Sequence, residues 1–187
     1  MNIEADFAEL VAMAEPLRAK RIRESVGLNF GSRKLVDVST WPVDKEIPPA
    51  MRQAAVNIFA FDALIQNPDR RFDNTNLFTR GNDIFVYDHE VAFSFLLAII
   101  GSATPWRLDD QNYLTDHVFY RDLKSRPIDV SGFTTTLASL PGPRLAEILA
   151  DVPPEWNNDS LAGIELHLCT ISEHAGDFAE EIRRRLA

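Results

Sequence analysis

The stretch NPDRRFDNTNLFTRGNDIFVYDHE, residues 67–90, decides the predicted fold of this chain. It opens with Asn-Pro-Asp, a combination that ends helices, so Asp69 is predicted to lie in a turn just after a helix. Two short apolar runs, residues 76–78 and 84–87, flank the sequence TRGND, in which Gly-Asn is a turn signal. We therefore expect a short β-hairpin that ends just before Asp88.

The other apolar patterns predict mostly helices. A broad apolar face without a helix breaker runs through residues 50–67 and predicts a long, buried helix that leads into the turn. A short strand is expected at residues 34–38, and the apolar run at 93–100 fits a helix or a strand. Further helices are predicted at residues 3–14, 111–124, 142–150 and 161–185. The predicted fold class is mainly α with a short β-hairpin.

Composition limits the classes of function. Of the 187 residues, 45% are hydrophobic and 25% are charged, which is typical of a soluble globular protein. A formal net charge of −9 argues against binding to nucleic acid or to an anionic membrane surface. Cys169 is the only cysteine, which favours a buried thiol in a reducing compartment. The acidic N-terminus lacks an apolar signal segment, and no apolar run is long enough to span a bilayer, so the predicted location is cytoplasmic.

Asp69, Asn74 and Asp88 have an order and spacing suited to phosphoryl transfer. That reaction needs a carboxylate to orient the attacking hydroxyl, together with hard oxygen ligands for Mg²⁺. In protein kinases a metal-binding Asn follows the catalytic Asp by five positions, and a second Asp after a short hairpin holds the metal from the far side. An Asp and an Asn five residues apart are weak on their own, because both are common in turns. The hairpin and the second Asp make the pattern more specific.

These segments resemble a known family. DALIQNPDRRFDNTNLF (residues 62–78) and IFVYDHEVAF (residues 84–93) are similar to the catalytic and metal-binding segments of HipA-like kinases, which are bacterial serine/threonine kinases. The upstream SVGLNFGSRKL (residues 25–35) resembles a shorter branch of that family. The resemblance covers roughly residues 25–95. It implies a protein-kinase-like C-terminal lobe over residues 25–187.

The resemblance also implies roles for individual residues. The catalytic segment would be residues 60–95, preceded by an N-terminal helix in residues 1–24. Asp69 would be the catalytic carboxylate, and Asn74 and Asp88 would hold Mg²⁺. Arg70 matches the family's Asp-Arg pair and would bind the cofactor ATP together with the metal ligands.

The part of a kinase that grips the nucleotide has no counterpart in the sequence pattern. A kinase needs a lysine on a strand before the catalytic loop and a loop that covers the triphosphate. None of the four lysines lies in such a strand pattern, and no glycine-rich phosphate loop precedes Ser25. The lysines are Lys20, Lys34, Lys45 and Lys124. We therefore expect a separately encoded N-lobe protein as partner, with ATP binding by the lone chain in doubt and with an unknown protein substrate.

Several alternatives stay open at this point. The chain is either a working catalytic lobe or a degenerate kinase lobe that serves as a binding or regulatory module. Arg70 and Arg71 either contact phosphate or form structural ion pairs with Asp73 or Asp88. His89 is expected to fix a neighbouring carboxylate through a hydrogen bond, since an imidazole ligand does not suit a hard-oxygen Mg²⁺ site.

Overall fold

The computed structural model describes residues 2–4, 6–12, 15–97, 104–140, 142–156 and 159–187. The chain divides into two compact units, Met1–Val36 and Asp37–Ala187. Residues 25–36 therefore cluster with the N-terminal unit, and the lobe boundary expected after residue 24 stays a prediction.

The N-terminal unit is a strand-helix-helix-strand arrangement. Strand β1 (Asn2–Ile3) pairs antiparallel with β2 (Gly27–Leu28), and helices α1 (Phe7–Ala12) and α2 (Pro16–Glu24) lie between them in sequence. The single helix expected for residues 1–24 is thus two helices preceded by a strand. Pro16 is the first residue of the second helix, where its missing N–H costs no hydrogen bond.

Helix α3 (Arg52–Leu64) organises the second unit. A short 3₁₀ turn, Pro49–Met51, leads into it, and the Asn-Pro pair follows its C-terminus. The buried face of α3 carries Ala55, Val56, Phe59, Ala60, Ala63 and Leu64, together with one charged residue, Asp62. The predicted long, buried helix is confirmed.

The predicted hairpin is also confirmed. Strands β4 (Leu77–Arg80) and β5 (Asp83–Val86) pair antiparallel, and Gly81 at the turn has φ 58°. This left-handed conformation favours glycine, since a Cβ would be strained there. A third strand, β3 (Ser39–Thr40), pairs with β4 and completes the sheet. The strand expected at residues 34–38 is therefore displaced toward the C-terminus.

The helices of the C-terminal half are interrupted more often than the sequence pattern predicts. In place of one helix over residues 111–124 there are a 3₁₀ turn, Asn112–Asp116, and a short helix, α4 (Tyr120–Leu123). They are separated because His117 forms a β-bridge with Arg71. The sequence pattern also missed helix α5 (Ser131–Ala138), while the helix at 142–150 is confirmed as α6 (Pro143–Ala150).

The last predicted helix, at residues 161–185, is two helices. They are α7 (Asp159–Glu173) and α8 (Ala175–Leu186), with His174 at the junction. The apolar run at 93–100 forms a 3₁₀ turn at Ser94–Leu97, and residues 98–100 lie outside the described residues.

The fold class is α+β: mainly helical, with two small antiparallel sheets. The predicted predominance of helix is confirmed, and the finer expectation of a kinase-like lobe stays a prediction. Among the residues that the structure describes, none of the helices has both the length and the apolar character needed to cross a bilayer.

Candidate functional site

The C-terminal end of α3 fixes the start of the loop that carries Asp69. The backbone N–H of Asn67 donates to the Asp62 carbonyl at 2.9 Å, and the Asn67 amide donates to the Asp62 carboxylate at 2.9 Å. The Asn67 side-chain oxygen in turn accepts from the backbone N–H of Asp69 at 3.2 Å. Both Asp62 and Asn67 are buried, so the turn is anchored in the core.

Arg70 is a structural side chain with every donor in use. Its Nε donates to Asp62 Oδ2 at 2.6 Å, and one terminal nitrogen donates to Asp62 Oδ1 at 3.4 Å and approaches His89 Nε2 at 2.9 Å. The other terminal nitrogen donates to the backbone oxygens of Asn76 (2.6 Å) and Tyr87 (3.3 Å). These contacts use all five N–H groups of the guanidinium.

The burial of Arg70 argues against the contact with ATP that the sequence predicts for it. Its side chain is 0% exposed, and its ion-pair partner is Asp62. The two partners considered from the sequence were Asp73 and Asp88. A guanidinium with no free donor and no exposed surface cannot reach a nucleotide phosphate. Arg70 instead connects the end of α3 to Asn76 and Tyr87, the residues just before and just after the two hairpin strands.

His117 completes this buried cluster. Its Nε2–H donates to Asp62 Oδ2 at 3.1 Å, and its Nδ1 accepts from the backbone N–H of Phe119 at 3.1 Å, which fixes the neutral tautomer. Burial lowers the pKa of His117. Burial alone would raise the pKa of Asp62, but the hydrogen bond from His117 and the neighbouring Arg70 guanidinium hold it below its ordinary value. The cluster is therefore a carboxylate-guanidinium pair bridged by a neutral imidazole.

Asp69 and Asn74 meet, as the sequence spacing predicts. The Asn74 amide nitrogen donates to Asp69 Oδ2 at 2.8 Å, and the Asn76 amide nitrogen donates to the same oxygen at 3.0 Å. Asp69 Oδ1 has a single polar neighbour among the described residues, an Arg71 nitrogen at 3.9 Å. With its side chain 28% exposed, Asp69 has one clamped oxygen and one oxygen open to an incoming group.

Arg71 is the exposed cation of the loop. Its Nε lies 3.5 Å from Asp73 Oδ1, which agrees with the structural-pair alternative considered for it. Its side chain is 45% exposed, and its second carboxylate neighbour is Asp69.

Asp88 lies at the same end of the hairpin as the Asp69 loop. Leu77 pairs with Val86, and the Tyr87 N–H donates to the Asn76 carbonyl at 3.2 Å, which places Asp88 just beyond the last cross-strand bond. Asp88 has φ 58° and is exposed. Within the described part of the chain, its carboxylate makes no hydrogen bond or ion pair, so it has no such bond to Asp69 or Asn74.

His89 has a different partner from the one expected. Its Nε2 faces Arg70 and accepts from the guanidinium, so its proton lies on Nδ1. Burial, followed by the charge of Arg70, lowers the pKa of His89. The ring also contacts Phe61 edge-on, with centroids 5.8 Å apart. The hydrogen bond to a neighbouring carboxylate expected from the sequence is replaced by this one to Arg70.

The oxygen donors suit Mg²⁺ better than a softer metal. No group of three His, Cys, Asp or Glu side chains in the described ranges is arranged to hold a metal ion. Asn74, however, turns its amide nitrogen toward Asp69, which leaves its amide oxygen without a protein partner among the described residues. That oxygen and the exposed Asp88 carboxylate match the preference of Mg²⁺ for few, hard protein ligands with water in the remaining positions.

The buried histidines make stability dependent on pH. Burial lowers the pKa values of His89, His117 and His167 below the ordinary 6.5. Below pH 6.5 the unfolded chain therefore binds these protons more fully than the folded chain does. Their contribution is therefore fully present above pH 6.5 and is lost as pH falls toward the folded values. Each histidine contributes a slope of at most about 1.4 kcal/mol per pH unit.

Urea unfolding between pH 7.5 and 5 checks this expectation. We expect the free energy of unfolding to fall with acidification, and His167→Gln, which keeps a donor for the Leu64 carbonyl, to reduce the slope. The same replacement at the more exposed His174 is the control and is expected to change the slope less. A pH-independent free energy across this range would contradict the neutral buried state.

Sequence reasoning missed four residues of this arrangement: Asp62, Asn67, Asn76 and His117. One available signal was a carboxylate on the otherwise apolar face of helix α3, since a buried charge requires a partner. His117 gave no usable signal, because it lies 55 residues from Asp62.

Comparison with known proteins assigns a family. The family model described as HipA-like kinase matches residues 5–179, which is most of the chain. Searches of curated proteins and of solved structures returned no significant match. The matched range contains Asp69, Asn74 and Asp88 and continues well beyond the segments that carry the sequence resemblance. The chain belongs to the HipA-like kinase family.

Proposed function

We propose that the chain is the catalytic lobe of a serine/threonine protein kinase that uses Mg²⁺ and ATP. The observation that carries the proposal is the state of Asp69, whose Oδ2 is held by two amide donors while Oδ1 is open. A positioned carboxylate with one free oxygen can accept the proton of a substrate hydroxyl. The hydroxyl oxygen would bond to the γ-phosphorus as the bond to the ADP oxygen breaks.

Asn74 and Asp88 are the residues proposed to hold Mg²⁺. The metal supplies charge neutralisation on the phosphate oxygens when it is bound. The chain's own contribution is orientation. Asn74 donates to Asp69 through its amide nitrogen, which leaves its amide oxygen available, and Asp88 follows the second strand of the hairpin. Such positioning accounts for most of the catalysis that a phosphoryl-transfer site needs.

A second polypeptide is proposed to grip the nucleotide. The five strands formed by the described residues contain no lysine. Lys45, the lysine nearest in sequence to α3, lies with its Nζ 4.5 Å from the centre of the Trp41 ring. We therefore propose that the phosphate-gripping lysine comes from a separately encoded N-lobe.

Calorimetry with Mg²⁺-ATP tests whether the chain supplies the metal ligands and a partner supplies the lysine that binds the phosphates. We expect weak binding to the lone chain and at least about tenfold tighter binding once a copurified partner is added, because each lobe supplies part of the phosphate contacts. Asp88→Asn should weaken the Mg²⁺-dependent part of binding. Asp83→Asn, the same change at the exposed start of β5, is the matched control. Tight binding by the lone chain, unaffected by Asp88→Asn, would contradict both the partner and the metal ligand.

A non-catalytic role is the second candidate. The exposed Asp88 carboxylate, with no side-chain contact to the Asp69 loop in the described structure, favours it. In that case the chain would be a regulatory or binding module. A complex with the partner that binds Mg²⁺-ATP without transferring phosphate would support this candidate over the catalytic one.

A further inference from the structure

We propose that Asn76 is a positioning residue that clamps Asp69 independently of the metal. The proposal rests on the proposed phosphoryl transfer for its catalytic consequence, but the clamp itself is a structural statement. Asn76 Nδ2 lies 3.0 Å from Asp69 Oδ2, the oxygen that Asn74 also contacts. An ionised carboxylate only accepts hydrogen bonds, so the amide nitrogens of both asparagines must face it.

Asn76 is anchored to the buried Arg70 and to the hairpin, whereas the backbone hydrogen bonds of Asn74 in the described structure are to Arg71 of the same loop. The backbone oxygen of Asn76 accepts from Arg70 at 2.6 Å and from the Tyr87 N–H at 3.2 Å, and the residue is 7% exposed. The Arg70 guanidinium that holds it is itself fully engaged and buried. The position of the Asn76 amide is therefore set by the core and the hairpin, without any contribution from a bound cation.

In the proposed site Asn74 both donates a hydrogen bond to Asp69 and binds the metal, whereas Asn76 only donates to Asp69. Asn74 donates to Asp69 through its nitrogen and would offer its oxygen to the metal, so its orientation changes if the metal changes. Asn76 keeps Asp69 Oδ2 in place whatever Asn74 does, and Asp69 Oδ1 stays directed at the substrate side. The clamp thus separates the orientation of the catalytic carboxylate from the occupancy of the metal site.

The backbone at Asn76 allows a clean substitution. Asn76 has φ 46°, a left-handed conformation that asparagine and glycine tolerate and alanine does not. Asn76→Gly therefore removes the amide while keeping the backbone, whereas Asn76→Ala removes the amide and adds strain. Asn82→Gly, at the exposed hairpin turn, is the matched control for the loss of an asparagine side chain.

The first arm of the test is kinetic and uses the reconstituted complex. Asn76→Gly should lower kcat by about 10- to 100-fold through misplacement of Asp69, with the KM for ATP little changed. Asn82→Gly should leave both constants close to those of the wild type. An unchanged kcat in Asn76→Gly would overturn the proposal, and so would a rise in the KM for ATP without a fall in kcat.

The second arm does not depend on activity. In ¹⁵N–¹H NMR spectra of the full chain, the side-chain amide signals of Asn76 should shift in Asp69→Ala and should stay in place when Mg²⁺ is added. Unchanged chemical shifts of the Asn76 side-chain amide in Asp69→Ala would overturn the clamp. If the wild-type complex shows no phosphoryl transfer but the Asn76 signals respond to Asp69→Ala, the proposed function fails while the clamp stands.

Discussion

Asp69→Asn is expected to lower the rate of phosphoryl transfer by about 10²- to 10⁴-fold, the range typical of a lost general base. The change keeps the size of the side chain and removes its negative charge together with its ability to accept the hydroxyl proton. The fold should survive, because the Asp69 side chain is 28% exposed and makes no contact to the buried Asp62. The measurement is transfer of labelled γ-phosphate in a complex of the chain with its copurified partner.

Asp73→Asn is the matched control for this change. Asp73 lies in the same loop, and its side chain is 58% exposed. Arg71 lies close to both carboxylates, that of Asp69 and that of Asp73. We expect its transfer rate to stay close to that of the wild type. Equal rates in Asp69→Asn and Asp73→Asn would reject Asp69 as the catalytic carboxylate.

Asp62→Ala is expected to destabilise the second unit by about 3–5 kcal/mol, the cost of leaving a buried charge without its partner. The substitution would leave Arg70 with an uncompensated charge. It would also leave the Nε2–H of His117 and the Asn67 amide without their acceptor. Urea unfolding at pH 7, where the Asp62 carboxylate is ionised, gives the change in free energy.

An exposed ion pair provides the comparison. Glu180→Gln breaks the pair with Arg183 on α8, whose nitrogen-oxygen distance is 2.6 Å, and should cost at most about 1 kcal/mol because both groups are solvated. If Asp62→Ala costs no more free energy of unfolding than Glu180→Gln, the buried cluster does not anchor the loop that carries Asp69. The double variant Asp62→Leu with Arg70→Met should recover part of the lost stability, since no charge then remains unpaired. It should not recover activity, because Asn76 would lose the donor that holds its backbone.

Local features of the fold and site were predictable because they depend on residues close in sequence. The hairpin follows from Gly81-Asn82 between two apolar runs, and the Asp69–Asn74 contact follows from a five-residue loop that returns on itself. The buried helix before the loop was also visible, since its apolar face has no breaker. Each of these features is determined by turn chemistry or by periodicity within about twenty residues.

Side-chain contacts between different elements of the fold were not predictable in the same way. Arg70 has its partner eight residues earlier, on a helix face that the apolar pattern marks as core, whereas the sequence suggested Asp73 or Asp88. The break at His117 depends on a β-bridge to Arg71 and on a hydrogen bond to Asp62, so periodicity alone indicated a continuous helix. Where tertiary contacts outweigh local propensity, a helical pattern is only a weak guide.

The central claim is that Asn74 and Asp88 hold one divalent cation beside Asp69. Titrating the chain with Mn²⁺ in the presence of ATP, and following NMR signal broadening around the metal, tests it most directly. The account predicts a single site that broadens the signals of residues 74 and 88 together and is lost in Asp88→Asn but retained in Asp83→Asn. Broadening around one of these two residues without the other, or a site that survives Asp88→Asn, would contradict it.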